Sequence, residues 1–97
     1  MEYNQLKLEI ESSLESNGYV KNENKDSLYQ VKEQQQIVVI NGVQQNVVNK
    51  IEIVLECLGE GYIDNTPTIG YKLLINYNDL GDFWMSNVND LKVFKLI

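Results

Sequence analysis

Tyr3, Leu6, Ile10 and Leu14 recur at three- and four-residue steps, the spacing that lays apolar side chains along one stripe of an α-helix. The pattern predicts a helix over residues 2–17. Glu2, Glu9, Glu11 and Glu15 fall largely off the stripe, and Lys7 and Glu11 are spaced for a weak surface pair. Asn17-Gly18 supplies the stop, because glycine takes the left-handed conformation that closes many helices.

The period then changes from helical to two. Tyr19-Val20-Lys21 can open a short strand, residues 22–26 are polar and turn-like, and Leu28 to Glu33 alternates with Tyr29 and Val31 on one face. Gln36-Ile37-Val38-Val39-Ile40 runs into Asn41-Gly42 and then Val43 to Val48. Asn-Gly between β-rich runs predicts a hairpin on a type I′ turn, which needs positive φ at both central positions. Its register places Ile40 opposite Val43 and Val39 opposite Gln44. Ile51, Ile53, Leu55 and Cys57 alternate with Lys50, Glu52, Val54 and Glu56, and Tyr71, Leu73, Ile75 and Tyr77 repeat the pattern. Such one-sided strands suit an antiparallel sheet with one face packed and one wet.

Two stretches admit two readings each. Residues 59–70 hold three glycines and the only proline. They form either a long functional loop or extensions of both strands that leave Asp64 to Pro67 as a short turn, the reading we favour. Asn78 to Asp82 is turn-rich and leads into Phe83-Trp84-Met85. In residues 90–97, Leu91, Val93 and Lys95 share a face if the segment is a strand, and Val88, Leu91, Phe94 and Ile97 share one if it is helical. Its shortness and its branched and aromatic content favour a strand. The whole pattern predicts an α+β fold: an N-terminal helix packed on a four- to six-stranded, mostly antiparallel sheet made of hairpins. One helix covers such a sheet only in part, and homodimerisation is one way to manage the edges that remain. At 97 residues, residues 1–97 make one domain and are too few for two.

Composition narrows the chemistry. The sequence holds no His, no Arg and no Ala. The first absence removes the commonest general base and transition-metal ligand, and the second removes the bidentate fork that holds phosphate. Abundant Asn, Lys, Ile and Tyr beside these absences point to an AT-rich coding genome, such as that of a low-GC bacterium, its phages or its plasmids. A single cysteine, no signal-peptide pattern and no apolar run near ~18 residues fit a cytoplasmic chain outside the membrane. Cys57 has no His to activate it and falls on the apolar face of its strand, where it packs. Gly59-Glu60-Gly61 lacks the third glycine and the helix of a dinucleotide fingerprint, and reads as a turn or bulge. No cofactor is expected.

Charge is lopsided. The net charge of -6 sits between Glu52 and Asp90, where Glu52, Glu56, Glu60, Asp64, Asp79, Asp82 and Asp90 face the single base Lys72. Direct binding to nucleic acid is disfavoured, since the phosphate backbone demands a basic surface. Asp79 and Asp82, with Asn78 adjacent, could hold a hard cation, but their spacing is not that of an EF-hand, and acids of this kind commonly form turns. Tyr62, Tyr71, Tyr77, Phe83 and Trp84 lie among the acids. As a strand, the segment sends Phe83 and Trp84 to opposite faces.

The reading that follows is a non-enzymatic interaction protein. Glu60, Tyr62, Asp64, Asp79, Asp82 and Trp84 are its candidate contacts to a basic protein partner. An acidic inhibitor that occupies the groove of a nucleic-acid-binding protein, as anti-restriction and anti-CRISPR proteins do, belongs to this class. A small-ligand-binding domain and an enzyme using carboxylates alone are the alternatives.

Overall fold

The computed structural model describes residues 2–97. Helix α1 spans Tyr3–Ser16 and buries Leu6, Ile10 and Leu14 along the predicted stripe. Each such side chain contributes about 2 kcal/mol through burial. The helix ends as the sequence requires. Tyr19 N–H donates to the Leu14 carbonyl (3.0 Å) and Gly18 N–H to that of Glu15 (3.2 Å), with Gly18 at φ +93°. Those two bonds form a Schellman motif.

Five strands follow: β1 Val20–Lys21, β2 Ser27–Ile40, β3 Val43–Ile63, β4 Thr66–Ile75 and β5 Asn78–Met85. They form one sheet in sequence order, and every neighbouring pair is antiparallel. Three two-residue turns connect the long strands: Asn41-Gly42, Asp64-Asn65 and Asn76-Tyr77, all with positive φ at both positions. This geometry matches the right-handed twist of the flanking strands. The predicted register holds, with Ile40 opposite Val43 and Val39 opposite Gln44. Residues 59–70 are strand on either side of Asp64-Asn65, so no long loop exists there.

α1 lies on the face carrying Leu28, Leu55, Ile69, Tyr71 and Met85, and these side chains make the core together with Leu91 and Leu96. The molecule nevertheless measures 60 × 27 × 20 Å. The long axis comes from β2 and β3, which run past the core as a two-stranded arm. β1 pairs β2 only at Leu28 and Tyr29, and β4 pairs β3 only from Ile53 onward.

Three expectations are corrected. Residues 90–97 are not a strand: Asp90–Val93 form a single helical turn, α2. The Asp90 carboxylate accepts the N–H groups of Ser86 (3.0 Å) and Asn87 (3.2 Å) and turns the chain. Leu91 then points into the core. Tyr77 belongs to a turn, and β5 begins at Asn78, because the bends at Asn76-Tyr77 and Leu80 take up the turn residues differently from the sequence pattern. Glu11 does not lie off the packed face. It is only 7% exposed, held by the Lys21 ammonium at 2.8 Å and approached by Lys7 at 3.8 Å.

Candidate interaction surface

Strand alternation decides which face each candidate takes. Leu55, Leu73, Tyr71 and Phe83 lie on the α1 side, and Phe83 packs against Phe94 with ring centroids 5.1 Å apart. The residues between them point away from α1. Glu56, Lys72 and Asp82 form one row across β3, β4 and β5. Val54, Leu74 and Asp79 form the next. Glu52 lies beyond them on β3. This open face therefore carries Glu52, Glu56, Asp79 and Asp82 against Lys72, whose ammonium is 3.6 Å from Asp79, and Lys25, which lines a hollow with Glu52, Glu56 and Tyr77.

Aromatic side chains stand at both ends of the acidic face. Trp84 pairs with Gly70 and its ring lies flat over the sheet. A Cβ built on Gly70 would come within 2.8 Å of the indole, and one on Gly61 within 2.6 Å. Two adjacent strands thus leave a bare backbone platform on which the ring rests, covering Thr68, and the indole remains 40% exposed. An open hollow of about 260 Å³ beside it is lined by Gly61, Tyr62, Ile63, Thr68 and Trp84. At the other end Tyr77 is 82% exposed, and its hydroxyl is 3.5 Å from the Glu52 carboxylate. Tyr77 holds φ +68°, a conformation that aromatic residues rarely adopt.

The sequence candidates therefore divide. Asp79, Asp82 and Trp84 share the open face. Glu60 and Tyr62 do not: a register shift between Cys57 and Gly59 puts Glu60 in step with Ile69, on the α1 side. There the Tyr62 hydroxyl donates to Glu60 at 2.7 Å, and that bond raises the Tyr62 phenol above its ordinary value. Asp64 sits in the β3–β4 turn, apart from both groups. Glu52, Glu56 and Tyr77 join the face instead, and strand parity alone could have identified the first two. The Asp79 carboxylate accepts the Gly81 N–H at 2.9 Å, a local turn bond. Among the described residues, no three His, Cys, Asp or Glu side chains converge as metal ligands do. Burial raises the Cys57 thiol and keeps it protonated at neutral pH, and its sulfur is 3.8 Å from the Tyr3 hydroxyl.

The arm is the second exposed feature. Residues 31–50 are all exposed except Val38, with Ile37 at 67% and Val39 at 65%. Residues 34–49 hold no charged side chain and no proline. β-branched residues and amides occupy both faces of the ribbon, and neither face rests on the body. No helix is long and apolar enough to cross a membrane among the described residues. Comparison with family models, with curated proteins and with solved structures finds no match.

Proposed function

We propose that this chain is a non-enzymatic interaction protein whose open sheet face binds a basic protein partner. The observation that carries the reading is the gathering of Glu52, Glu56, Asp79 and Asp82 on one surface, in excess over Lys72 and Lys25, between Trp84 and Tyr77. Complementary charge steers encounter and makes association salt-sensitive. Tryptophan and tyrosine are the usual anchors of such interfaces, and Trp84 is held ready on its glycine platform, so little rotamer freedom is lost on binding. A basic groove of a nucleic-acid-binding protein offers the matching chemistry, and occupying it is how this chain acts as an inhibitor. Glu60 and Asp64 lie off that face and contribute through long-range charge alone, and the neutral Tyr62 borders it only where it lines the hollow beside Trp84.

The test is retention of a basic partner by the immobilised chain. Its binding should weaken steeply with salt and fall at least tenfold for a Glu56→Lys, Asp82→Lys variant, about 1.4 kcal/mol. Retention indifferent to both salt and charge reversal overturns the reading.

A further inference from the structure

The hairpin arm leaves the β2 edge without a paired strand from Gln30 to Ile40, since β1 ends its pairing at Tyr29. A long edge strand of this kind, free of charge from Gln34 to Ile40, is a template for another strand. We infer that the occupant is the same edge of a second copy, paired antiparallel about a two-fold axis through Gln35.

Three features of the edge select a second copy. The first is backbone direction. A two-residue type I′ hairpin makes Ile40 and Val43 a hydrogen-bonded pair, so even-numbered residues of the β2 arm direct their N–H and C=O groups to β3. Val31, Glu33, Gln35, Ile37 and Val39 direct theirs outward. An axis through Gln35 sets outward-facing residues opposite outward-facing residues all along the edge, as a ladder requires.

The second is side-chain complementarity. Gln35 is the midpoint of the free stretch and of the run Gln34-Gln35-Gln36. The axis stacks Gln35 on its own copy and Gln34 on the partner's Gln36. Paired amides of this kind form hydrogen-bonded ladders. Val31 meets the partner's Val39, Glu33 the partner's Ile37, and Lys32 the partner's Val38. No charge faces a like charge.

The third is the distribution of charge. Each copy carries -6, so two bodies repel. Residues 34–49 are the long stretch of surface free of charge, and antiparallel arms hold the two acidic bodies at opposite ends of a shared four-stranded ribbon. Closure about a two-fold uses the edge once and leaves the acidic face free for its own partner.

Sedimentation of the full chain tests the inference. The wild-type protein should sediment at twice its 11.2 kDa mass. Gln35→Pro should sediment at the single-chain mass with unchanged circular dichroism, because the lost N–H points away from β3 and the hairpin keeps its own bonds. A Gln35→Cys, Cys57→Ser chain should form an interchain disulfide on oxidation, as opposed Cα atoms of a hydrogen-bonded pair lie about 5.5 Å apart. Val48→Cys, Cys57→Ser, at the middle of the other arm edge, should not. A wild-type monomer at every concentration, a Gln35→Pro dimer, cross-linking through Val48→Cys, or open-ended polymers each overturn it.

Discussion

Trp84 and Gly70 occupy opposed positions on β5 and β4, and the indole fills the space a Gly70 side chain would need. The relationship couples an exposed aromatic to the backbone beneath it. Gly70→Ala places a methyl group within 2.8 Å of the ring. The indole is free to swing outward, so the sheet survives and the ring loses its platform. The cost should be about 1 kcal/mol of stability, from apolar area returned to water. Tryptophan fluorescence should shift to longer wavelength, and partner affinity should drop. Unchanged emission would show that the ring does not rest on Gly70.

Tyr77 and Glu52 bound the same face at its other end. A turn position at φ +68° suits glycine or asparagine, and a bulky residue there is strained by about 1–2 kcal/mol. Tyr77→Gly should therefore raise the melting temperature while weakening the basic partner. Stability gained with affinity unchanged would remove Tyr77 from the interface and leave its strain without a role.

The ion pair of Glu11 and Lys21 is asymmetric. The carboxylate side chain is 9% exposed and the lysine 50%. Lys21→Met leaves a nearly buried carboxylate with only Lys7, 3.8 Å away, and should cost about 2 kcal/mol. Glu11→Gln returns an already half-exposed ammonium to water and should cost less, about 1 kcal/mol. Denaturant unfolding of the two variants checks the order, and the reverse order would place the desolvation burden on the lysine.

Much of the fold was legible because its signals are local. The stripe of Leu6, Ile10 and Leu14, the Asn41-Gly42 turn and the alternation from Ile51 to Cys57 each report their own geometry. The errors arose where a non-local contact decides. Glu11 looks like a surface acid until Lys21 arrives from β1. Residues 90–97 fit either period, and the Asp90 carboxylate selects the helical turn by accepting the N–H groups of Ser86 and Asn87. The acidic half was visible in the sequence, but its division between two faces depends on the bulge at Cys57–Gly59, which reverses the parity of Glu60 relative to Glu56. The arm was legible as a hairpin and not as a projection. Ile37-Val38-Val39-Ile40 fails to alternate because neither face is packed, a pattern that also fits a doubly buried strand.

Alkali should unfold the protein in a defined window. Burial holds the Tyr3 hydroxyl up to about 12 from 10.0 and raises Tyr19 and Tyr71 as well. Lys21 is raised by its bond to Glu11. A group raised in the folded state contributes stability that is whole below its unfolded value and is lost as pH rises through its folded value. Stability should thus hold to about pH 10 and fall between about 10 and 12. Melting temperature against pH checks the slope, and tyrosinate absorbance should rise late and cooperatively. Tyr3→Phe should make the fall shallower. Tyrosines that all titrate near 10 in the folded protein contradict the assignment.

The arm contributes nothing to the core, and its removal can be designed from the register. Excising residues 34–39 together with 44–49 joins Glu33 to Ile40 and Val43 to Lys50. Six residues leave each strand, an even number, so every remaining side chain keeps its face. Glu33 still opposes Lys50 in the full-length pairing, and the shortened hairpin keeps Asn41-Gly42 as its turn. No excised residue is buried, and shortening the hairpin slightly lowers the entropy of closing it. At concentrations where the full chain is dissociated, the melting temperature should stay within about 2 °C of wild type, a stability change of roughly 0.5 kcal/mol. A larger loss would mean that the ribbon buttresses the sheet. The same variant should bind the basic partner with unchanged affinity, because Glu56, Asp79, Asp82 and Trp84 all lie on the body. It should also sediment as a single chain, because the edge centred on Gln35 is gone. Retained binding with lost self-association would assign the two surfaces to two different partners.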